Sequence, residues 1–279
     1  MILILILLTG PCGLAFVDRT FKNKPDAKIL MLERGGPDIT QEFYPWHLSD
    51  TTKHSQNGSG NFLKGIWAGF GGRSTVWTGW CPRPTRDELP GWSDELVERC
   101  EKYFHAAEDL LGVVDANDDE RLKPRFGHLQ RQLFNHIGKN MSDIPSLYRM
   151  IPAPLALSYS GKTRQQDTFS TVDRLFELCN SKGEGTLSIL LRCFVEKINF
   201  AKGTAISLKT SLGKLPLKNS KLILAMGAIP PTTLLVNSLP SLSNAGTNIS
   251  AHFMSKIMLR VDVRDLPREL DTNGDELGR

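Results

Sequence analysis

The chain has 279 residues, 40% apolar and 23% charged, with 34 basic against 30 acidic side chains and a formal net charge of +4. This is enough chain for one large or two modest domains around a sizeable core, with the composition of an ordinary globular protein. The basic residues are scattered and form no Lys/Arg-rich run, so neither a nucleic-acid surface nor an anionic-membrane surface is indicated.

In chain order, the opening from Met1 to Leu8 is apolar, lacks a basic leading segment and runs straight into a glycine turn. It is shorter than the roughly 20 residues of a membrane span. It reads as a strand buried on both faces rather than as a signal peptide, with a cytoplasmic protein as the corresponding expectation and secretion as the alternative. Thr9-Gly10-Pro11-Cys12-Gly13 is a tight turn, Leu14 to about Lys24 a helix, and Lys28 to Leu32 a second apolar strand ending in Glu33-Arg34-Gly35-Gly36-Pro37. Strand, glycine turn, helix and strand in this order make a βαβ unit.

Asp38 to Gly65 shows no periodicity and is expected to be a long irregular stretch. A second glycine turn follows at Gly69-Phe70-Gly71-Gly72. Ser93 is placed to cap a helix reaching about Leu111, with Leu96, Val97, Cys100, Phe104, Ala107, Leu110 and Leu111 on one face. Leu129, Leu133, Phe134 and Ile137 suggest another amphipathic helix, Pro145 to Ser160 has no clear period, and Thr171 to Cys179 is a short helix. Beyond Gly185 the pattern turns to strands over 187–200, 204–211 and 215–226, with turns at Gly203 and Gly213, then a helix from Thr232 to Val236 and a polar tail from Asp262.

Three segments could carry chemistry. The first is Gly10-Pro11-Cys12-Gly13 with Glu33. A pyrophosphate needs the close backbone approach that glycine permits and the positive end of a helix dipole. An acid about 20 residues on can accept from a ribose hydroxyl, and Glu33 stands at that offset from Gly13. The pattern G-x-G-x-x-G lacks its first glycine, because Leu8 occupies that place; a purely structural glycine turn is the competing reading. The second segment is Gly71-Gly72-Arg73-Ser74-Thr75-Val76-Trp77-Thr78-Gly79-Trp80, whose backbone N–H groups and hydroxyls suit a flat ligand or a pyrophosphate; the alternative is a turn leading into an aromatic core strand. The third is Leu222 to Ile229, an apolar strand ending in the small residues Ala225, Gly227 and Ala228, over which a ligand could pass.

Other chemistries are not supported. The histidines (His47, His54, His105, His128, His136, His252) show no metal-ligand spacing, and no GxSxG elbow exists. His105 reads as structural, and the five tryptophans Trp46, Trp67, Trp77, Trp80 and Trp92 as core. The five cysteines form no CxxC pair and are odd in number, which fits neither a disulfide framework nor a zinc site.

Together the segments resemble the glucose–methanol–choline family of FAD-dependent oxidoreductases, most closely its pyranose-oxidase-like branch. The order is the same: glycine turn, "LERGG" at Leu32 to Gly36, "GGRSTVWTGW" at 71–80, "LILAMGAI" at 222–229, and Asn244 to Asn248 ahead of His252. The resemblance implies an α/β fold, a Rossmann-like FAD-binding domain assembled from discontinuous segments (1–111 and 186–245), with 112–185 and 246–279 belonging to a substrate domain. It implies that Gly10, Pro11 and Gly13 face the pyrophosphate, Glu33 and Arg34 the adenosine, and Gly71, Gly72, Arg73, Ser74 and Thr75 the flavin and pyrophosphate. Val195 would meet the adenine through its backbone, and Ala225 and Gly227 would line the nucleotide. The reaction implied is oxidation of a sugar or alcohol CH–OH by hydride transfer to FAD. Val76 stands where pyranose oxidases carry the histidine that tethers flavin, so the FAD is expected to be non-covalent. The family's catalytic histidine is expected beyond Arg279, making the chain a fragment of such an enzyme or a non-catalytic flavin- or nucleotide-binding remnant. An NAD(P)-dependent dehydrogenase would leave Gly71 to Trp80 without a purpose.

Overall fold

A computed structural model of the chain describes residues 3–37, 42–44, 66–114, 134–143, 145, 150–151, 153–158, 167–183, 185–242 and 244–247. Two compact units emerge: Met1–Trp77 with Phe169–Ser250, and Thr78–Thr168 with Ala251–Arg279. The first unit opens with β1 (Leu3–Leu7), α1 (Pro11–Asn23), β2 (Lys28–Leu32), β3 (Glu42–Tyr44) and β4 (Ile66–Ala68). The second holds α2 (Asp94–Leu111), β5 (Val113–Val114), β6 (Leu155–Ser158) and β7 (Asp167–Thr168). The chain then returns to the first unit with α3 (Thr171–Lys182), β8 (Leu187–Leu190), β9 (Val195–Ala201), β10 (Thr204–Thr210), β11 (Gly213–Pro216), β12 (Lys221–Leu224) and α4 (Ile229–Ser238).

The first unit is organised by a four-stranded parallel sheet in the order β12-β1-β2-β8. Its central strand is the apolar opening run, with Leu5 opposite Leu222 on one side and Leu30 on the other. Side chains alternate across a sheet, so an unbroken apolar strand needs cover on both faces. Leu5, Leu7 and Leu32 enter a core with Cys193, Val195, Ile198, Leu208, Leu217 and Leu234, formed against the antiparallel meander β9-β10-β11 and α4. Ile6 and Met31, both fully buried, lie on the opposite face. There α1 presents Leu14, Val17 and Phe21 at helical spacing. Burial of each such side chain contributes about 1.5–3 kcal/mol relative to exposure. The result is the Rossmann-like α/β architecture expected from the motif order.

Some boundaries differ from the sequence reading, each for a physical reason. α1 begins at Pro11 rather than Leu14, because proline fits the first helical position and Gly10 stays extended ahead of it. The expected strand 187–200 is two strands, since the chain leaves the parallel sheet after Leu190 and joins the meander at Val195. The expected strand 215–226 is likewise broken, by a turn in which Ser220 N–H donates to Leu217 O at 2.8 Å. α3 continues to Lys182 and α4 starts at Ile229. Within the stretch expected to be irregular, Glu42–Tyr44 pairs antiparallel with β4, Phe43 opposite Trp67. Of the expected helix carrying Leu129 to Ile137, residues 134–139 are helical and the rest lies outside the described residues.

In the second unit, α2 has the expected cap: the Ser93 hydroxyl accepts from Leu96 N–H at 3.3 Å, and Gly112 ends the helix in the left-handed region. Its apolar stripe is only partly covered, with Val97 buried but Leu96 44% exposed. β5, β6 and β7 form an antiparallel sheet. Arg83 grips Glu108 through Nε and Nη2, both at 2.6 Å, which holds the Glu108 carboxyl below its ordinary range. The pair is solvent-exposed, so its contribution is at most about 1 kcal/mol. The tryptophans are not uniformly core: Trp80 and Trp92 are 41% and 47% exposed, and Trp77 is half-buried with its indole N–H donating to Phe169 O at 2.8 Å. Trp46 and the Trp67 side chain lie outside the described residues.

Gly13 sits where α1 crosses the end of β1, and a Cβ there would lie 2.4 Å from Leu8 O and 3.1 Å from Met31 Cε. A Cβ at Gly10 would meet nothing within 4 Å. Gly13→Ala is therefore expected to lower unfolding free energy in urea by about 1–3 kcal/mol, and Gly10→Ala by less than about 1 kcal/mol. Equal losses would show that α1 does not approach β1 as described.

Candidate functional site

Within the first unit, the first glycine turn, Glu33, the Gly71–Trp77 part of the second segment and the end of the third converge at the carboxyl ends of β1 and β2; Thr78, Gly79 and Trp80 belong to the second unit. β1 ends at Leu7, and Leu8 turns the chain with φ +77 while its N–H donates to Leu32 O at 2.8 Å. This left-handed conformation is the one a first glycine would supply freely. In Leu8 it costs roughly 1–2 kcal/mol. The turn of the incomplete G-x-G-x-x-G pattern is thus made without its first glycine.

Gly10 then leads into α1. No side chain caps this helix, so the backbone donors of its first turn point outward at the positive end of the dipole. A Cβ at Gly10 would meet nothing within 4 Å, so the backbone here is open, and donors at a helix start are a chemistry that can take an anion. The second glycine turn closes on the first: a Cβ on Gly72 would lie 3.1 Å from Gly10 Cα. Gly71 adopts φ +92, and a Cβ there would sit 2.5 Å from Val172 Cγ2. Gly72 to Thr75 form a 3-10 turn, in which Arg73 is exposed, Ser74 is buried and the Thr75 hydroxyl donates to Gly72 O at 2.9 Å.

Glu33 is 1% exposed and turned inward. Oε2 accepts from the Thr9 N–H at 3.1 Å and the Thr9 hydroxyl at 2.7 Å, and Oε1 from the Gly35 N–H at 2.9 Å. A weaker pull comes from the Arg34 N–H. Since a carboxylate offers about four lone-pair sites, the protein itself engages nearly all of them. Burial raises the Glu33 pKa above its ordinary 4.5, opposed by these hydrogen bonds.

Thr9 passes the connection on. Its hydroxyl donates to Glu33 and accepts from Gly71 N–H at 2.8 Å. Thr171, the first residue of α3, completes the cluster. Its hydroxyl lies 3.0 Å from Thr9 O and 3.0 Å from Gly71 O, and its N–H donates to the Ser74 hydroxyl at 3.0 Å. Ser74 Oγ in turn donates to Gly71 O at 2.7 Å. Neither Thr9 nor Thr171 was marked by sequence reasoning. Thr9 filled a variable position of the motif, and Thr171 served only as a helix start.

The remaining expected residues surround this centre. The Arg34 guanidinium lies 4.4 Å over the Phe194 ring. Val195 is buried at the start of β9. Ala225 N–H donates to Leu7 O at 3.2 Å, and Gly227 follows with φ +78. Val76 is 43% exposed. Asn244 to Thr247 are described, but Asn248 and His252 lie outside the described residues. Among the described residues no helix is long and apolar enough to cross a membrane, and no cluster of three or more His, Cys, Asp or Glu could hold a metal ion.

No protein-family model matches the chain, and no curated protein matches it. Among solved structures it is similar to pyridoxine 4-oxidase from Mesorbium loti, with 16% identity and a TM-score of 0.51, over 85% of this chain and 52% of that one. A second similarity is to L-amino acid deaminase from Proteus vulgaris, with 12% identity and a TM-score of 0.38, over 84% of this chain and 49% of that one. The chain spans about half the length of each. The first similarity establishes a shared fold.

A buried carboxyl whose folded pKa exceeds its unfolded one binds more protons when folded. Its favourable contribution is present below the unfolded value near 4.5 and is lost as pH rises through the raised folded value. Glu33→Gln is expected to flatten the fall in stability above pH 4.5. It should also cost about 1–3 kcal/mol, because the new amide N–H₂ faces donors that then go unsatisfied. Urea unfolding from pH 4 to 8 measures both, and an unchanged pH slope would show that Glu33 is not the buried titrating group.

Proposed function

We propose that the chain is the FAD-binding part of an oxidoreductase acting on the CH–OH group of a sugar or alcohol, of the glucose–methanol–choline type. The observation that carries this reading is the meeting of two glycine turns at the uncapped start of α1, with Gly72 against Gly10. Such a cradle, made of backbone donors and helix dipole in a Rossmann-like sheet, suits a dinucleotide pyrophosphate. The ordered series of motifs resembling that family supplies the specific nucleotide.

In this reading Gly10, Pro11 and Gly13 hold the pyrophosphate, while Gly71, Gly72, Arg73, Ser74 and Thr75 flank it and the flavin. Val195 meets the adenine through its backbone, and Ala225 and Gly227 let the nucleotide pass above the sheet edge. Glu33 and Arg34 border the adenosine; with most of its lone pairs engaged, Glu33 has room for at most a shared hydrogen bond to a ribose hydroxyl. When bound, FAD supplies the hydride acceptor for the alcohol carbon. The protein's own part is to fix the cofactor, and Val76 leaves it non-covalent. A second reading, a nucleotide-binding remnant without catalysis, is favoured by Leu8, whose left-handed backbone and side chain burden the pyrophosphate turn.

The 279-residue chain is expected to bind FAD weakly in a fluorescence titration and to oxidise no sugar or alcohol by itself. Leu8→Gly is expected to tighten FAD several-fold by removing both strain and side chain from the turn. A bright yellow complex of the unaltered chain surviving gel filtration would contradict weak binding. Identical affinity for Leu8→Gly would remove the turn from the pyrophosphate.

A further inference from the structure

The hydroxyl cluster beneath the two glycine turns is not explained by ligand contact. Thr171 is fully buried, Thr9 likewise, and Ser74 nearly so. They connect segments that are remote in sequence: the end of β1, the 3-10 turn after β4, and the first residue of α3. Each glycine turn presents one inward carbonyl to this cluster, Thr9 O and Gly71 O. Only two hydroxyl hydrogens serve them. With Ser74 donating to Gly71 O at 2.7 Å, the Thr171 hydrogen goes to Thr9 O at 3.0 Å, and both buried carbonyls are satisfied. The Thr171 N–H, an orphan of the α3 first turn, is taken by Ser74 Oγ.

We infer that Thr171 is a positioning residue for the nucleotide site, acting with Ser74 to hold the Gly71–Gly72 turn at a fixed spacing from Gly10. This rests on the FAD reading above. The fully buried Thr171 hydroxyl lies 3.0 Å from a main-chain oxygen of each turn, so it acts on both from beneath the surface. The spacing it sets is tight, as the 3.1 Å from the Gly72 Cβ position to Gly10 Cα shows. A backbone cradle acts through preorganisation, so a loosened turn loses affinity without losing any direct ligand contact.

The test compares Thr171→Val, which keeps the shape and removes the hydroxyl, with Thr171→Ser, which keeps the hydroxyl, in the full chain. FAD affinity, melting temperature and amide exchange at Gly71 are measured together. The expected result is an FAD affinity about tenfold weaker for Thr171→Val and near-unaltered for Thr171→Ser. Gly71 exchange should be about tenfold faster in the valine variant only. Ser74→Ala provides a second variant with the same expected direction should Thr171→Val fold poorly. Unchanged affinity in Thr171→Val and in Ser74→Ala overturns the inference. So does a loss shared by Thr171→Ser that follows the melting temperature, since that is a packing role. If the unaltered chain binds no FAD, the functional reading fails, and Gly71 exchange alone decides: faster in the valine variant upholds the spacing role, and equal rates end it.

Discussion

The hydrogen bonds between Glu33 and Thr9 are the constraint on which the carboxyl end of the parallel sheet depends. A carboxyl buried this deeply is costly unless it is well hydrogen-bonded, and its partners are groups that themselves define the turns: the Thr9 N–H and hydroxyl, the Gly35 N–H and the Arg34 N–H. Satisfying Glu33 therefore fixes the ends of β1 and β2 relative to each other. Because the Thr9 hydroxyl has one hydrogen and gives it to Glu33, it can only accept from Gly71. The direction of the whole network follows from one acid.

This arrangement explains how the turn after β1 keeps its conformation with leucine rather than glycine at position 8. Leu8 supplies a left-handed backbone at an energetic cost, and its position is held from both sides. Its N–H is bound to Leu32, its carbonyl is packed against Gly13, and its neighbour Thr9 is tied to Glu33. Strained conformations persist where the surroundings over-determine them.

Much of the architecture was legible in the sequence because it depends on local signals. The apolar run of β1, the glycine turn, Glu33 at the end of β2, the Ser93 cap and the meander turns are written in adjacent residues. What was not legible depends on partners far away. Glu33 promised an outward acceptor, and nothing near it in sequence said that Thr9 would claim it. Thr171 reads in sequence as a helix start, and the Thr9 and Gly71 carbonyls that its hydroxyl approaches lie 162 and 100 residues away in the chain. The run from Leu187 to Phe200 carries apolar residues on both sides of the point where it changes sheets (Leu187, Ile189 and Leu190 before it, Val195, Ile198 and Phe200 after it) with no glycine or proline between, so the break has no local mark. Trp80 and Trp92 show that aromatic content alone does not assign a residue to the core.

The central strand has a temporal consequence. β1 is synthesised long before one of its two strand partners, β12, which begins at Lys221. At about 5–20 residues per second, a ribosome needs roughly 10–40 s to produce that partner. Through this interval the five-residue run Leu3–Leu7, free of charge and of proline, can be covered on one side by β2 while its other edge stays open. An unpaired apolar edge is a template for association with another chain. The feature that anchors the finished sheet is thus also the point at which the nascent chain most needs shielding.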